Sequence, residues 1–222
     1  MKLRLIQKNI NNSDYISFLE SSADSGADIV CFGELAVSGC LYNGENDKKI
    51  EEFDTIVGRL AKYDFATMIG LPRKTGDSLT NSYLYCKNGE YQIYDKINLF
   101  EPMNETKVFK SGKELTIFDT DFGKFGAAIC YDLRFPEMFS GLKEMGASVI
   151  FVPAAFPRAR ISDWKELIRQ RAIDNNLTVI GINAVGDDGT NEFGGTTIVV
   201  SPQGEIIAQA DEENERVLEV EL

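Results

Sequence analysis

The sequence predicts an α/β protein that contains both hairpins and crossover connections. Short apolar runs typical of strands recur along the chain, and stretches with helical apolar spacing lie between only some of them. Of its 222 residues 43% are hydrophobic and 26% are charged, a globular composition that excludes disordered and collagen-like classes. No repeat or linker-like stretch interrupts the pattern, so we expect a single domain over residues 1–222.

In the N-terminal half, each predicted element follows from the spacing of its apolar residues. The segment 27–32 is almost continuously apolar, as expected for a strand in a buried sheet. Asn88-Gly89, between two strand-like runs, is a strong signal for a hairpin turn. The predicted order is a strand at 3–7, a helix at 14–23 capped by Ser13, a strand at 27–32, a helix at 47–63, and strands at 66–71, 81–87 and 91–94.

The C-terminal half begins with a second hairpin-like pair of strands and then alternates helices with strands. Turn signals separate its last three strands, among them Pro202-Gln203-Gly204. The predicted order is strands at 115–119 and 125–129, a helix at 135–145, a strand at 148–152, a helix at 164–175, a strand at 177–183, and strands at 195–200, 205–209 and 217–220.

The charge balance argues against two classes of partner. With 23 Lys and Arg against 35 Asp and Glu, the formal net charge is -12, so we expect neither nucleic acid nor an anionic membrane as a partner. No apolar run approaches the roughly 20 residues of a membrane span, and the polar start does not resemble a secretory signal. We therefore expect a cytoplasmic protein, whose four cysteines lack CxxC spacing and are free thiols.

Histidine is absent from the sequence, and this excludes several kinds of catalytic site. Ser-His-Asp triads, Cys-His dyads, histidine-based zinc sites and the facial triad of non-haem iron each need an imidazole. If the chain is a hydrolase, its proton shuttle must be a carboxylate, a lysine or a tyrosine. A carboxylate or a lysine would then need a pKa moved toward neutrality by burial.

Three side chains of different chemistry each follow a predicted strand. Cys130 precedes a polar turn, whose backbone N–H groups would favour a thiolate and could bind an oxyanion. Glu34 follows the apolar strand 27–32, where desolvation would raise its pKa toward that of a general base. Lys96 could place a positive charge over a reacting carbonyl oxygen. Each also has an ordinary interpretation: a buried structural cysteine, a cap or surface ion pair, and a solvated lysine.

The three residues support one another as a site. The carboxyl ends of strands in an open α/β sheet are the edge where such folds place their sites. A cysteine nucleophile without histidine needs both a base and a cation, and Glu34 and Lys96 are of the required types. The sequence therefore indicates nucleophilic catalysis by Cys130.

Three motifs, in the same order along the chain, resemble those of the carbon–nitrogen hydrolase family, the nitrilase superfamily. The segment 129–137, Ile-Cys-Tyr-Asp-Leu-Arg-Phe-Pro-Glu, is closely similar to the family signature around its nucleophile. The segment 33–40 is similar to the motif of the base, and 96–100 is similar to the lysine motif Lys-x-His-Leu-Phe. The resemblance extends over residues 3–222.

The motifs depart from the family pattern at Gly33, Cys40 and Asn98, the last standing where histidine is common. None of these departures removes the carboxylate, the lysine or the thiol. In the branch that the sequence resembles most, a second glutamate follows the lysine by nine residues, and Glu105 matches it. Glu101 is the alternative residue, and capping of a turn is the alternative role for Glu105.

The resemblance implies an αββα sandwich whose subunits pair through helices into an αββα-αββα homodimer. It implies that Cys130 attacks a carbonyl or nitrile carbon, and that Glu34 takes the thiol proton and later activates water. Lys96 and the Tyr131 N–H would hold the oxyanion, and Glu105 would orient Lys96 or the substrate. No metal and no organic cofactor is implied.

For the substrate, the motifs are most similar to those of omega-amidases, which release ammonia from short dicarboxylic acid monoamides. In that branch a loop arginine lies four residues before a tryptophan, as Arg160 does before Trp164, so we expect both residues near the substrate. A guanidinium there could bind a substrate carboxylate bidentately. Arg158 is the alternative arginine, and a surface position is the alternative for either.

Other functions fit the same residues. A nitrilase, an N-carbamoyl hydrolase or a deaminated-glutathione amidase would differ only in the shape of the pocket. From another class, a non-catalytic scaffold or binding protein on this fold would leave Cys130 as an unactivated thiol. A nucleotide- or flavin-binding module is disfavoured, because no GxGxxG or Walker sequence follows a strand.

Overall fold

Two six-stranded sheets pack face to face between outer helices in the computed structural model, which describes residues 1–41 and 50–222. Helix, sheet, sheet and helix form four layers, so the predicted α/β class and the αββα layering are confirmed. In the described part of the chain, no helix is long and apolar enough to span a membrane.

Strands make up most of the regular structure. In chain order they are β1 (Lys2–Gln7), β2 (Ile29–Phe32), β3 (Ala66–Thr75), β4 (Ser78–Lys87), β5 (Glu90–Asp95), β6 (Ile117–Thr120), β7 (Gly123–Ala127), β8 (Val149–Ala154), β9 (Thr178–Asn183), β10 (Val185–Asp187), β11 (Glu192–Gly194), β12 (Ile198–Val200), β13 (Ile206–Gln209) and β14 (Arg216–Glu221).

Helices cover the outer faces of the sheets and line the site. The α-helices are α1 (Ile16–Glu20), α2 (Phe53–Leu60), α3 (Glu105–Val108), α4 (Pro136–Glu144) and α5 (Ile161–Asn175). Short 3₁₀ helices lie at Glu101–Met103, Cys130–Arg134 and Arg158–Arg160.

The two large sheets share one design. The first has the order β14-β1-β2-β3-β4-β5, and the second has the order β13-β12-β9-β8-β7-β6. In each, three neighbouring strands are parallel, namely β1, β2 and β3 in the first and β7, β8 and β9 in the second, and antiparallel strands flank them. The parallel strands of each sheet therefore end at one edge, where Glu34 comes after β2 in the first sheet and Cys130 comes after β7 in the second. Lys96 follows β5, which pairs antiparallel with β4.

Alternation along β2 explains why its sequence is apolar throughout. Ile29 and Cys31 join the apolar cluster between the sheets, whereas Val30 and Phe32 join the cluster beneath α1 and α2. Successive side chains of a strand point to opposite faces, and here both faces are covered. Because burial of a large apolar side chain contributes roughly 1.5–3 kcal/mol, a polar residue at any of these positions would be costly.

Several predicted element boundaries were wrong. The first helix spans only Ile16–Glu20 and Ser13 does not cap it; instead the Ser17 N–H donates to Asp14 Oδ1 at 3.0 Å. The helix predicted at 47–63 is Phe53–Leu60, and positions 47–49 of that prediction lie outside the described residues. The hairpin formed by β10 and β11 was not predicted.

The last three predicted strands are present but begin or end at other residues. The strand expected at 195–200 begins only at Ile198, because Gly195 and Thr196 both have positive φ and cannot extend the ladder. Earlier in the chain, the strand expected at 125–129, which precedes Cys130, also has other bounds: it ends at Ala127, and a 3₁₀ helix begins at Cys130.

Candidate active site

Glu34 lies directly after β2 in a tightly packed turn. Its neighbour Leu35 has a φ of +50°, a strained conformation for a residue that carries a side chain. Gly70 of β3 lies behind this turn: a Cβ atom there would be 2.5 Å from the Gly33 carbonyl oxygen and 2.8 Å from the Glu34 Cα. The absence of a side chain at Gly70 therefore allows the turn to pack on β3, and Glu34 is only 3% exposed.

Lys96 and Asn81 each bridge two carboxylates. Lys96 Nζ lies 2.9 Å from Glu34 Oε1 and 2.8 Å from Glu105 Oε1. Asn81 Nδ2, on β4, donates to the same two oxygens, at 2.7 Å to Glu34 and 3.3 Å to Glu105. All four residues are buried, so these charges are stable inside the protein only because they are paired with one another.

The second oxygen of each glutamate accepts a backbone hydrogen bond. The Ala155 N–H donates to Glu34 Oε2 at 2.8 Å, and the Phe100 N–H donates to Glu105 Oε2 at 2.5 Å. Glu105 begins α3 directly after Asn104, whose φ of +58° reverses the chain at this point. Donors on both oxygens therefore fix the orientation of each carboxylate.

Cys130 begins the 3₁₀ helix that follows β7. Its φ of +48° is left-handed, so the thiol stands on a strained turn. Its Sγ lies 3.9 Å from the Ala155 carbonyl oxygen, and the residue is partly exposed, so a substrate can reach it. One peptide residue, Ala155, thus contacts Cys130 through its C=O and Glu34 through its N–H.

Burial and neighbouring charges move the pKa values of these groups. Burial raises the pKa of Glu34, against the opposing effect of Lys96, and Glu105 adds to the rise. Burial alone would lower the pKa of Lys96, but the charges of Glu34 and Glu105 outweigh it and raise that pKa. Burial and Glu34 raise the pKa of Cys130. Lys96 is therefore cationic, and Cys130 rests as a thiol whose proton a base must remove.

The Tyr131 N–H lies in the first turn of the 3₁₀ helix, where backbone amides have no acceptor within the helix. The Tyr131 ring centre lies 4.8 Å from that of Phe100 and 5.5 Å from that of Phe135. This packing fixes the Tyr131 side chain beside the 3₁₀ helix that begins at Cys130.

A small cavity opens beside the thiol. Its volume is about 20 Å³, room for about one water molecule. Its lining includes Phe100, Cys130, Tyr131, Ala155, Phe156 and Arg160. These walls are mainly aromatic and aliphatic apart from two arginines, Arg160 and Arg134, and Arg134 is paired with Asp163 at 3.0 Å. Arg160 is therefore the cation that could orient a charged substrate.

The two candidate arginines lie in different surroundings. Arg158 Nε lies 2.8 Å from Glu192 Oε1, and its Nη2 donates to the Glu212 carbonyl oxygen at 2.8 Å, so acidic loops hold it. Arg160 lines the cavity, and its guanidinium carbon lies 5.8 Å from the Phe100 ring centre. Within residues 1–41 and 50–222, no acidic side chain forms an ion pair with Arg160.

Trp164 and Glu101 lie away from the thiol. Trp164 is completely buried; its Nε1 donates to the Thr196 carbonyl oxygen at 2.9 Å, and its ring centre lies 5.3 Å from that of Phe156. Trp164 therefore packs behind Phe156 and does not itself line the cavity. Glu101 is exposed and accepts a hydrogen bond from Thr106, so Glu105 is the glutamate beside Lys96.

Comparison with known proteins places this site in a family. The sequence profile of the carbon–nitrogen hydrolases matches residues 5–222. The chain belongs to the carbon–nitrogen hydrolase family. It is 35% identical over 142 residues to 2-oxoglutaramate amidase of Bacillus subtilis, which is 64% of this chain and 55% of that protein. It therefore spans about half the length of this relative.

Two further relatives cover more of this carbon–nitrogen hydrolase. Omega-amidase YafV of Escherichia coli is 29% identical over 204 residues, 89% of this chain and 78% of that protein. A solved structure of a hydrolase of the same superfamily from Xanthomonas campestris, with an arsenic adduct in its active site, has a TM-score of 0.86 and 26% identity. The match covers 99% of this chain and 89% of that chain. The chain is accordingly a hydrolase of carbon–nitrogen bonds other than peptide bonds.

Sequence reasoning about this hydrolase did not identify Asn81 and Ala155 as parts of the site. In the sequence, the available signal was a polar residue within the strand predicted at 81–87. The structure shows that Asn81 is completely buried, where a polar side chain needs hydrogen-bond partners. Ala155 acts through its backbone, which no side-chain pattern can reveal.

Within the described residues, no group of three or more acidic or thiol side chains could hold a metal ion, and Lys96 lies between the two glutamates.

Proposed function

We propose that this hydrolase is a cysteine-dependent amidase that releases ammonia from a small carboxylated amide through a thioester intermediate. The observation that carries the proposal is the buried cluster of Glu34, Lys96 and Glu105, which the Ala155 peptide joins to Cys130. It supplies a base, a cation and an orienting carboxylate beside a thiol, without an imidazole.

In the first half-reaction Cys130 Sγ attacks the amide carbon while Glu34 accepts the thiol proton. The oxygen of the amide gains negative charge, which Lys96 Nζ and the Tyr131 N–H stabilise. Glu34 then gives its proton to the amide nitrogen, the C–N bond breaks and ammonia leaves. The acyl group remains on sulfur as a thioester. Because burial raises the pKa of Glu34, this residue is suited to hold the proton between the two transfers.

In the second half-reaction water hydrolyses the thioester. Glu34 removes a proton from the water as its oxygen attacks the acyl carbon, and the same two donors stabilise the new oxyanion. The C–S bond breaks, the sulfur recovers the proton from Glu34, and a carboxylic acid leaves. Glu105 holds Lys96 in place through both steps by its contact at 2.8 Å.

A carboxylated substrate is supported by the position of Arg160 in the wall of the cavity beside Cys130. A guanidinium that lines an apolar cavity can bind a carboxylate through two hydrogen bonds. Relatives that act on such substrates, the 2-oxoglutaramate amidase and the omega-amidase, agree with this choice.

The test is ammonia release across a panel of 2-oxoglutaramate, succinamate, glutamine, deaminated glutathione, N-carbamoyl-β-alanine and a simple nitrile. We expect release from the two dicarboxylic monoamides and none from Cys130→Ala, with unchanged circular dichroism. Release by Cys130→Ala would refute the nucleophile. Release confined to the carbamoyl compound or the nitrile would refute the amide substrate.

We also propose that the enzyme is a cytoplasmic homodimer. Ile173 on α5 and Ile206 and Ile207 on β13 are exposed large apolar side chains that a second subunit could cover. Cys31, Cys86 and Cys130 form no disulfide, as suits a reducing compartment. Light scattering should give twice the chain mass, and Ile206→Glu should give the monomer. A dimer mass for the variant would reject this face, and a monomer mass for the wild type would reject the dimer.

A further inference from the structure

Asp132 is a completely buried carboxylate that accepts four hydrogen bonds. Its Oδ2 accepts from the Tyr94 hydroxyl at 2.7 Å and from the Ile129 N–H at 2.9 Å. Its Oδ1 accepts from the Asn98 N–H at 2.8 Å and from Asn98 Nδ2 at 2.9 Å. Burial of a carboxylate is costly, and these four hydrogen bonds offset that cost. The mechanism above uses neither Asp132 nor any of its partners.

The partners of Asp132 flank two catalytic residues. Tyr94 and Asn98 lie two residues before and two residues after Lys96, so their bonds fix both sides of the segment that carries the ammonium. Ile129 directly precedes Cys130, so its bond fixes the entrance of the nucleophile turn. One carboxylate therefore joins two segments that lie more than thirty positions apart in the sequence.

The strain at Cys130 gives this contact a purpose. A non-glycine residue at a φ of +48° persists only where its surroundings impose the conformation. The bond from the Ile129 N–H to Asp132 spans Cys130 and closes the turn on itself. Without it, the peptide between Cys130 and Tyr131 could relax, and the thiol would move relative to Lys96.

We propose that Asp132 is a positioning residue whose hydrogen bonds hold Lys96 and the Cys130 turn in one arrangement. Asn98 completes this clamp with a neutral amide. The role assigned to the arrangement rests on the proposed function, whereas the clamp itself can be tested without turnover. Asp132 touches no reacting atom and acts only through the two segments that it joins.

Two tyrosines offer a matched pair of variants. Tyr94 and Tyr83 are both completely buried, they lie opposite each other on β5 and β4, and each hydroxyl donates one hydrogen bond. Tyr94 donates to Asp132, whereas Tyr83 donates to the Phe32 carbonyl oxygen at 3.1 Å. Tyr94→Phe therefore weakens the clamp, and Tyr83→Phe removes a comparable bond outside it. Asn98→Ala, at a partly exposed position, provides a second clamp variant that keeps the backbone bond.

The measurement is the pH dependence of Cys130 alkylation by iodoacetamide, followed by mass spectrometry of the peptide that contains it. The charged groups acting on this thiol are Glu34 and Glu105, which raise its pKa, and Lys96, which lowers it. If the clamp loosens, Lys96 is less well placed, and the midpoint of alkylation should rise by roughly half a unit to one unit. Tyr83→Phe should leave the midpoint unchanged while lowering the melting temperature about as much as Tyr94→Phe does.

Turnover provides the second readout. Tyr94→Phe and Asn98→Ala should lower kcat by about tenfold, the usual size of a lost charge-assisted hydrogen bond, with KM unchanged because Arg160 is untouched. Wild-type midpoints in both clamp variants would overturn the proposal, as would equal shifts in Tyr94→Phe and Tyr83→Phe. Shifted midpoints in a protein that hydrolyses none of the amides would support the clamp and refute the proposed function.

Discussion

Lys8 provides a quantitative prediction about the free energy of unfolding. It is only 5% exposed, and its Nζ donates a long hydrogen bond of 3.5 Å to the Asn9 carbonyl oxygen. Burial lowers its pKa from 10.5 to about 8, although the charges of Glu215 and Asp14 oppose this. It also lines a small cavity whose walls include Glu34, the proposed base. The perturbation that tests it is Lys8→Met, which keeps most of the side-chain volume and removes the charge.

The sign and magnitude follow from the two pKa values. A pKa lowered in the folded state means that between pH 8 and 10.5 the unfolded chain binds the proton that the folded chain has lost. Stability therefore rises with pH in this window. The difference of about 2.5 units corresponds to about 3 kcal/mol in full, of which about 2.5 kcal/mol falls between pH 7 and pH 10.

The assay is urea unfolding of the wild type and Lys8→Met at pH 7, 8, 9 and 10. The wild type should gain about 2.5 kcal/mol relative to the variant across this range, because other titrations cancel in the difference. Lys62→Met, which makes the same change at an exposed site, is the control for the substitution itself. A flat difference for Lys8→Met would refute the reasoning, since Lys8 would then carry no cost of burial.

Three further predictions concern the site. Gly70→Ala should lower kcat by displacing the Glu34 turn and should lower the free energy of unfolding in urea by about 1–3 kcal/mol. Gly58→Ala, in open space on α2, should raise the free energy of unfolding by about 0.5–1 kcal/mol. Equal activity of the two variants would show that Gly70 does not support the Glu34 turn. Glu34→Gln should reduce kcat by about 10²–10⁴-fold in steady-state assays, because it can accept no proton in either half-reaction, and near-wild-type turnover would remove it as the base. Arg160→Ala should raise KM for carboxylated amides by roughly tenfold or more while neutral amides change little, with Arg158→Ala as the control; parallel effects on both substrate types would exclude Arg160 from carboxylate binding.

The parts of the site that the sequence predicted are those encoded by local pattern. Glu34, Lys96 and Cys130 each follow a strand, and the ends of strands are where α/β folds place their sites. Glu34 and Lys96 meet at the edge of the first sheet, whereas Cys130 comes from the second sheet, so the packing of the two sheets brings it to them. Glu105 was predicted from motif spacing, and its contact with Lys96 at 2.8 Å agrees with that spacing.

The parts that the sequence could not predict depend on contacts between distant segments. Asn81 reaches Glu34 and Glu105 because β4 pairs with both β3 and β5, which no local pattern contains. The family resemblance places Trp164 near the substrate, and the packing of α5 on the second sheet buries its ring behind Phe156. Spacing along the chain fixes which residues are neighbours, but not which of them is solvent-facing.

Backbone strain shows the same limit and also marks the site. Among the described residues, six without glycine's freedom have positive φ, and three of these are asparagines, which tolerate it. The other three are Leu35, Cys130 and Thr196, whose local propensity disfavours a positive φ. Leu35 adjoins the proposed base Glu34, Cys130 is the proposed nucleophile, and the Thr196 carbonyl oxygen accepts the hydrogen bond of Trp164 behind the cavity wall. Local propensity does not predict these conformations because tertiary contacts impose them. The strained conformations are retained where the chemistry needs a fixed geometry.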